Sequence, residues 1–170
     1  MGMRLFSGWG RRTDTRSLVI RAVSLGFAVG LRSMVPLGAL ARHHPDAPRS
    51  APWRQWIPFR SPAARTVLLV STGGEMLVDK LPIVPPRISP GPLGERIAVG
   101  AVSGAAIGSE YRVPSDTALG AVLGAAGAVA GAFAGYRART YVTGTYHLPD
   151  APVALVEDAL AIGIATRAVR

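Results

Sequence analysis

Ionisable residues inside apolar segments are the part of this sequence with the greatest capacity for chemistry. A charged side chain at the centre of a membrane helix costs roughly 2.5 to 3.5 kcal/mol, so it requires a partner, water or a change of protonation. We predict an intramembrane cluster of six such residues: Arg32, Glu75, Asp79, Lys80, Glu157 and Asp158. Lys80 stands at a segment boundary, from which its ammonium group can reach the membrane interface.

Carboxylates outnumber cations in this cluster. Glu75 and Asp79 are four residues apart on one helix face, where they repel each other unless a proton, a cation or Arg32 intervenes. Glu157 and Asp158 are adjacent and point about 100° apart, so at most one of them aims directly at a given neighbour. The excess of carboxylates favours a cation or proton site, and the alternative is a structural salt-bridge network that fixes helix register.

Composition indicates the elements that must position these charges. The chain has 170 residues, 49% apolar side chains, 20 glycines and a mean hydropathy of +0.29, which favours a small membrane bundle over a soluble domain. We predict an all-α, polytopic transmembrane bundle of about five glycine-rich helices, the first kinked or broken near Pro36. The predicted spans are 18–41, 63–81, 97–109 (extended to 94–111 for full length), 117–136 and 152–169.

The remaining segments are predicted to be a tail and connectors. Residues 1–17 form a mobile basic tail, and 18–170 form a single transmembrane domain. Residues 42–62 are expected at the interface, because Trp53, Trp56 and Phe59 are rings that settle among lipid headgroups. Residues 82–92 are rich in proline and are predicted to be a stiff, extended connector. Basic residues outside the five spans divide nine to eight between the two sides, so they give no orientation.

Glycines recur at four-residue spacing on the third and fourth predicted helices. This spacing lets helix backbones approach closely, so we predict packing against neighbouring helices or a second copy of the chain, with a pore-lining surface as the alternative. The glycines predicted to pack are Gly100, Gly104, Gly108, Gly120, Gly124, Gly127, Gly131 and Gly135.

Several functional classes lack support in the sequence. The chain has no cysteine, so thiolate chemistry is excluded, and its net charge of +9 comes mostly from scattered arginines that suit lipid phosphates rather than nucleic acid. His43 and His44 lack further metal ligands nearby and are read as solvated. Neither Asp79 nor Asp158 carries the Gly-x-Gly-Asp sequence of an intramembrane aspartyl hydrolase, and the glycine runs lack a phosphate-loop ending. We therefore expect no enzyme, metal or cofactor.

Several motifs together resemble a known family. They are Gly30-Leu31-Arg32-Ser33-Met34-Val35-Pro36, Gly74-Glu75, Asp79-Lys80-Leu81-Pro82, Pro90-Gly91-Pro92-Leu93 with Arg96, Leu148-Pro149-Asp150, and 155–162. Over about 26–165 the chain resembles the bacterial membrane family catalogued as domain of unknown function four-one-two-six. The resemblance implies a small multi-helix protein of the bacterial plasma membrane and supplies no activity.

Two functions follow from these observations. Intramembrane carboxylates and an interrupted first helix favour a small transporter or channel-like protein coupled to ions or protons. The alternative is a noncatalytic membrane scaffold or assembly protein, in which the buried charges are structural.

Overall fold

The computed structural model describes residues 7–78, 88–111, 113–146 and 149–170. Over these residues the chain is all helical, as predicted. The α-helices are α1 (Ser7–Leu31), α2 (Val35–His43), α3 (Pro62–Val78), α4 (Pro90–Ser109), α5 (Pro114–Tyr146) and α6 (Asp150–Ala168), and a short 3-10 turn spans Pro52–Gln55.

The first predicted helix is broken, and its two parts form a hairpin. Arg21 of α1 donates from Nε to the carbonyl of Ala168, at the end of α6. Arg32, which follows α1, pairs with Asp158, the ninth residue of α6. His43, at the end of α2, lines a cavity with the last residues of α6. Helix α1 therefore runs along α6 from the carboxyl end of α6 to its midpoint. Helix α2 then returns to the carboxyl end of α6.

We call residues 32–34 the hairpin tip. We call the end of the bundle that holds Arg21 the basal end. The opposite end is the distal end. The break at the tip agrees with the kink or break predicted near Pro36, but the hairpin does not support the prediction that 18–41 crosses the bundle as one span. Proline favours a break here because Pro36 has no N–H to donate to the carbonyl of Arg32, four residues earlier, and in a continuous helix its ring would clash with that carbonyl.

The other helices alternate between the two ends. Helix α3 leaves the basal end, where Arg65 donates to the carbonyl of Phe59, and reaches the tip, where Thr72 donates to the carbonyl of Met34. Helix α4 returns from the tip to the basal end, α5 leaves it again, and α6 comes back. Helices α1, α4 and α5 make the most extensive mutual contacts in the bundle.

Glycines make that three-helix contact possible. A methyl group at Gly124 would overlap the carbonyl oxygen of Gly100 on α4, and one at Gly26 of α1 would overlap the carbonyl of Gly124. Comparable backbone contacts are found at Gly104, Gly108, Gly120, Gly127 and Gly131, whereas Gly135 is buried. Each predicted packing glycine thus lies at a helix contact or in the interior.

Three boundaries differ from the predictions. Helix α1 begins at Ser7, so residues 7–17 of the predicted mobile tail are helical. Helix α4 begins at Pro90, within the predicted extended connector, because proline in a first turn gives up an N–H that has no acceptor inside the helix. Helix α5 continues ten residues beyond Tyr136, its predicted end.

One described helix meets a membrane-crossing criterion of length and apolar composition. Among the described helices, only α5 is both long and apolar enough to cross a membrane by itself, with a mean hydropathy of 1.7 over its best 18-residue window. The prediction of five spans is not supported on this criterion. Charged residues within the other helices, such as Arg96 in α4 and Glu157 in α6, lower their hydropathy.

We expect Gly124→Ala to destabilise the bundle by about 1–3 kcal/mol, because the added methyl group would overpack the contact of α4 and α5. The matched control is Gly163→Ala, where nothing lies within 4 Å of the added carbon. The control should be neutral or stabilising by up to about 1 kcal/mol, since alanine favours helix. Detergent-solubilised protein unfolded by heat or denaturant measures both, and equal behaviour of the two variants would contradict the packing role.

Candidate functional site

The hairpin tip exposes backbone groups that a continuous helix would have paired. Ser33 and Met34 lie between α1 and α2, so their N–H groups have no acceptor within either helix. Glu75 of α3 supplies one: its carboxylate oxygens accept hydrogen bonds from the N–H groups of Ser33 and Met34, both at 2.7 Å. A negative charge is favoured at this position because the helix dipole is positive at the N-terminus. Glu75 therefore caps α2 from a neighbouring helix.

Carbonyl groups at the end of α1 are bound from another direction. Arg96 of α4 is buried, and its NH1 donates to the carbonyls of Val29 at 3.1 Å and Gly30 at 3.4 Å. A cation is favoured at a helix C-terminus for the same electrostatic reason. The two halves of the broken helix are thus capped by side chains of opposite charge.

The side chain of Arg32 points from the tip to α6. It is 1% exposed, and its Nε lies 2.5 Å from Oδ1 of Asp158. A buried ion pair of this kind contributes little net stability compared with an apolar pair, but loss of one partner leaves an uncompensated charge. The pair therefore fixes the height of the tip relative to α6.

The second carboxylate of α6 faces another helix. Glu157 is buried, and its Oε2 lies 3.9 Å from NH1 of Arg139, in the part of α5 beyond its predicted end. Adjacent residues on α6 thus reach separate cations, as their angular separation predicts.

The predicted cluster is therefore divided into local partnerships. Glu75, Arg32, Asp158 and Glu157 each have a partner among the described residues. Asp79 and Lys80, the other predicted members, lie outside the described residues.

A second polar network joins the helices at the basal end. Glu110, which follows α4, accepts hydrogen bonds from the Trp53 indole at 3.1 Å and from Arg21 at 2.8 Å. Arg21 also donates to the carbonyl of Ala168. Trp53 and Phe59 are fully buried and pack edge to face, so the prediction that these two rings lie among lipid headgroups is wrong. Glu110 provides the acceptor that allows the indole to be buried.

His44 lies beside this network. Its ring packs edge-on against Trp53, and its Nε2 lies 3.4 Å from the carbonyl oxygen of Arg54 and 3.5 Å from NH1 of Arg65. Burial chiefly lowers the pKa of His44 below its usual 6.5, and the guanidinium groups of Arg65 and Arg54 act in the same direction. The neutral ring is therefore favoured, which corrects the view of His44 as a simply solvated side chain.

Sequence reasoning missed three arginines of these networks. The sequence patterns identify none of Arg21, Arg96 and Arg139 as the partner of a buried carboxylate or carbonyl. The helix break itself was the available signal for Arg96, because free carbonyls at the end of α1 require a donor. No local pattern identifies the partners of Arg21 and Arg139, because both contacts join distant parts of the chain.

Comparison with known proteins found no match among family models, curated proteins or solved structures. The family resemblance drawn from the motifs stays a prediction.

We expect Arg32→Met and Asp158→Leu each to lower the free energy of unfolding by about 3–5 kcal/mol, because each leaves a buried charge without its partner. The double variant should lose much less than the sum of the two. Arg137→Met, at an exposed position of α5, is the control and should change stability by at most about 0.5 kcal/mol. Denaturant unfolding in detergent gives all four values, and additive losses would show that the pair is not coupled.

Proposed function

We propose that this chain is a noncatalytic integral membrane protein, a scaffold or assembly protein in which buried charges hold a re-entrant hairpin. In this proposal α3, α4, α5 and α6 cross the membrane. Helices α1 and α2 enter from the basal end and return to it.

The distribution of apolar and charged side chains supports the membrane location. Large apolar side chains are exposed on α3, α5 and α6, including Val70 at 68%, Val122 at 66% and Val156 at 60%. In contrast, Arg32 and Asp158 are buried at 1% and 7%. Water-soluble proteins favour the reverse arrangement, in which charges face the solvent and large apolar patches are covered. Hydrocarbon around the bundle accounts for both features.

Helix lengths support four crossings and a hairpin. Helices α3, α4 and α6 have 17 to 20 residues, or about 25–30 Å at 1.5 Å per residue, which matches the hydrocarbon thickness. Helix α2 has nine residues and covers only about half that distance. Irregular backbone at this depth is tolerated where protein surrounds it, and Glu75 and Arg96 provide that protection at the tip.

One observation favours a scaffold over a transporter. The described carboxylates of the predicted cluster, Glu75, Glu157 and Asp158, are already bound, either to an arginine or to the backbone N–H groups of the hairpin tip. Glu95 of α4 is exposed and lies outside this cluster. A transport site for a cation or proton requires a carboxylate that can exchange its partner for the substrate. These charges are instead used to join α2, α5 and α6 to their neighbours.

The hairpin also predicts a membrane orientation, which the distribution of basic residues around five predicted spans did not. It places the described arginines unequally, with two at the distal end, Arg137 and Arg139. At the basal end are Arg11, Arg12, Arg16, Arg21, Arg42, Arg49, Arg54, Arg60, Arg65, Arg167 and Arg170. By the positive-inside rule the basal end faces the cytoplasm, and so do both ends of the described chain.

A second candidate function is ion- or proton-coupled transport. The broken helix favours it, because transporters place binding sites at discontinuous helices whose freed backbone groups face the substrate. Here Glu75 occupies that position, so transport would have to displace or protonate it.

The hairpin topology predicts that the 42–62 segment lies on the same side of the membrane as the start of α1. The natural chain has no cysteine, so Ser7→Cys, Ser50→Cys and Thr145→Cys each provide a single thiol. In right-side-out vesicles a membrane-impermeant maleimide should label only Thr145→Cys, and in inverted vesicles it should label the other two. If Ser7→Cys and Ser50→Cys were labelled from opposite sides, the first predicted span would cross the membrane and the hairpin topology would be wrong.

The scaffold proposal predicts no flux through the protein. Liposomes that contain the protein and a trapped pH dye should acidify at the rate of protein-free liposomes under an imposed potential. Glu75→Gln should leave that rate unchanged and destabilise the fold by about 1.5–3 kcal/mol, because a charge-assisted cap is lost. Glu95→Gln, at an exposed glutamate, is the control. Flux that depends on Glu75 while stability is unchanged would overturn the proposal in favour of transport.

A further inference from the structure

A cavity opens at the basal end, between the last turns of α2 and α6. Its volume is about 320 Å³, within the range of about 300–1,000 Å³ typical of small-ligand sites. Ala39 and Val169 form an apolar wall of this cavity. Its polar lining consists of Arg42, His43, Asp46, Thr166 and Arg170.

The polar lining is suited to an anion. The lining side chains comprise two guanidinium groups, an imidazole, a hydroxyl and one carboxylate, so together they carry a net positive charge. Arg42 and Arg170 have no hydrogen-bond or ion-pair partner among the residues that the structure describes. In contrast, the arginines that hold the fold together, such as Arg21 and Arg96, bind carboxylates or carbonyls.

The position of the cavity narrows the class of anion. Arg42 lies in the last turn of α2 and Arg170 follows the last residues of α6, so the two guanidinium groups reach the cavity from different helices. Arginine is well matched to phosphate because its planar donors can bind two oxygens at once. Basic pockets between membrane helices on the cytoplasmic side bind the head groups of anionic lipids.

We propose that this cavity binds a phosphate group, and that in the membrane this group belongs to an anionic phospholipid of the basal leaflet. Arg42 and Arg170 bind the phosphate oxygens, Thr166 donates a further hydrogen bond, and the wall of Ala39 and Val169 contacts the glycerol. The assignment of this phosphate group to a lipid rests on the proposed membrane location, whereas the binding of phosphate by the cavity does not.

The test compares two double variants of the full chain with the same net charge. Arg42→Gln/Arg170→Gln removes both cavity cations, and Arg49→Gln/Arg60→Gln removes two exposed basal arginines outside the cavity. All four side chains are exposed, so both variants should unfold at the temperature of the natural protein, which is checked first.

In the first arm, protein from nanodiscs of phosphatidylglycerol and phosphatidylcholine is examined by native mass spectrometry. The natural protein and the control variant should retain phosphatidylglycerol, and the cavity variant should retain about a hundredfold less, the effect of losing two charge-assisted hydrogen bonds of about 1.5 kcal/mol each. In the second arm, inorganic phosphate is added to lipid-free protein in neutral detergent, with chloride at equal ionic strength, and the rise in unfolding temperature is measured.

The arms separate the two sources of phosphate. Cavity-dependent retention of phosphatidylglycerol supports the lipid, and a cavity-dependent response to inorganic phosphate alone supports a soluble phosphate compound. That second result, together with failure to enter nanodiscs, would reject the membrane location and keep the phosphate site. Equal behaviour of the two double variants in both arms would overturn the inference.

Discussion

The organisation of this bundle depends on the backbone groups that are left unpaired where α1 ends and α2 begins. Such groups are expensive to bury, so a helix break inside a bundle requires donors and acceptors from elsewhere. Glu75 binds the freed N–H groups and Arg96 binds the freed carbonyls, each in the orientation that the helix dipole favours. Helices α3 and α4 are thereby connected to one point, and Arg32 connects α6 to it through Asp158.

Close packing at glycines holds together the three helices that support this tip. Backbone contacts between α1, α4 and α5 leave no space for even a methyl group at Gly26, Gly100 or Gly124. Van der Waals contact of this kind is the main attraction available between helices in lipid, where apolar burial gives little gain.

The hairpin changes how the basic residues are distributed between the two ends of the bundle. With a continuous first span, basic residues would be shared almost evenly between the two sides of a membrane. A return at the tip shifts the segment that follows α2 to the basal end and gathers most of the described arginines there. It also accounts for the basal cavity, because α2 and α6 then end side by side. Orientation and the proposed phosphate site thus share one structural origin.

Local sequence patterns were sufficient to predict an all-helical chain, the break near Pro36 and glycines with room only for hydrogen, because propensity, proline geometry and four-residue spacing act over a few residues. The same patterns marked Arg32, Glu75, Glu157 and Asp158 as residues that need partners. Only the tertiary structure decided which partners they have, since Arg32 and Asp158 are separated by more than half of the chain. It also decided that the chain turns back at Arg32, because that direction depends on contacts with α6 and α3 that no local segment contains.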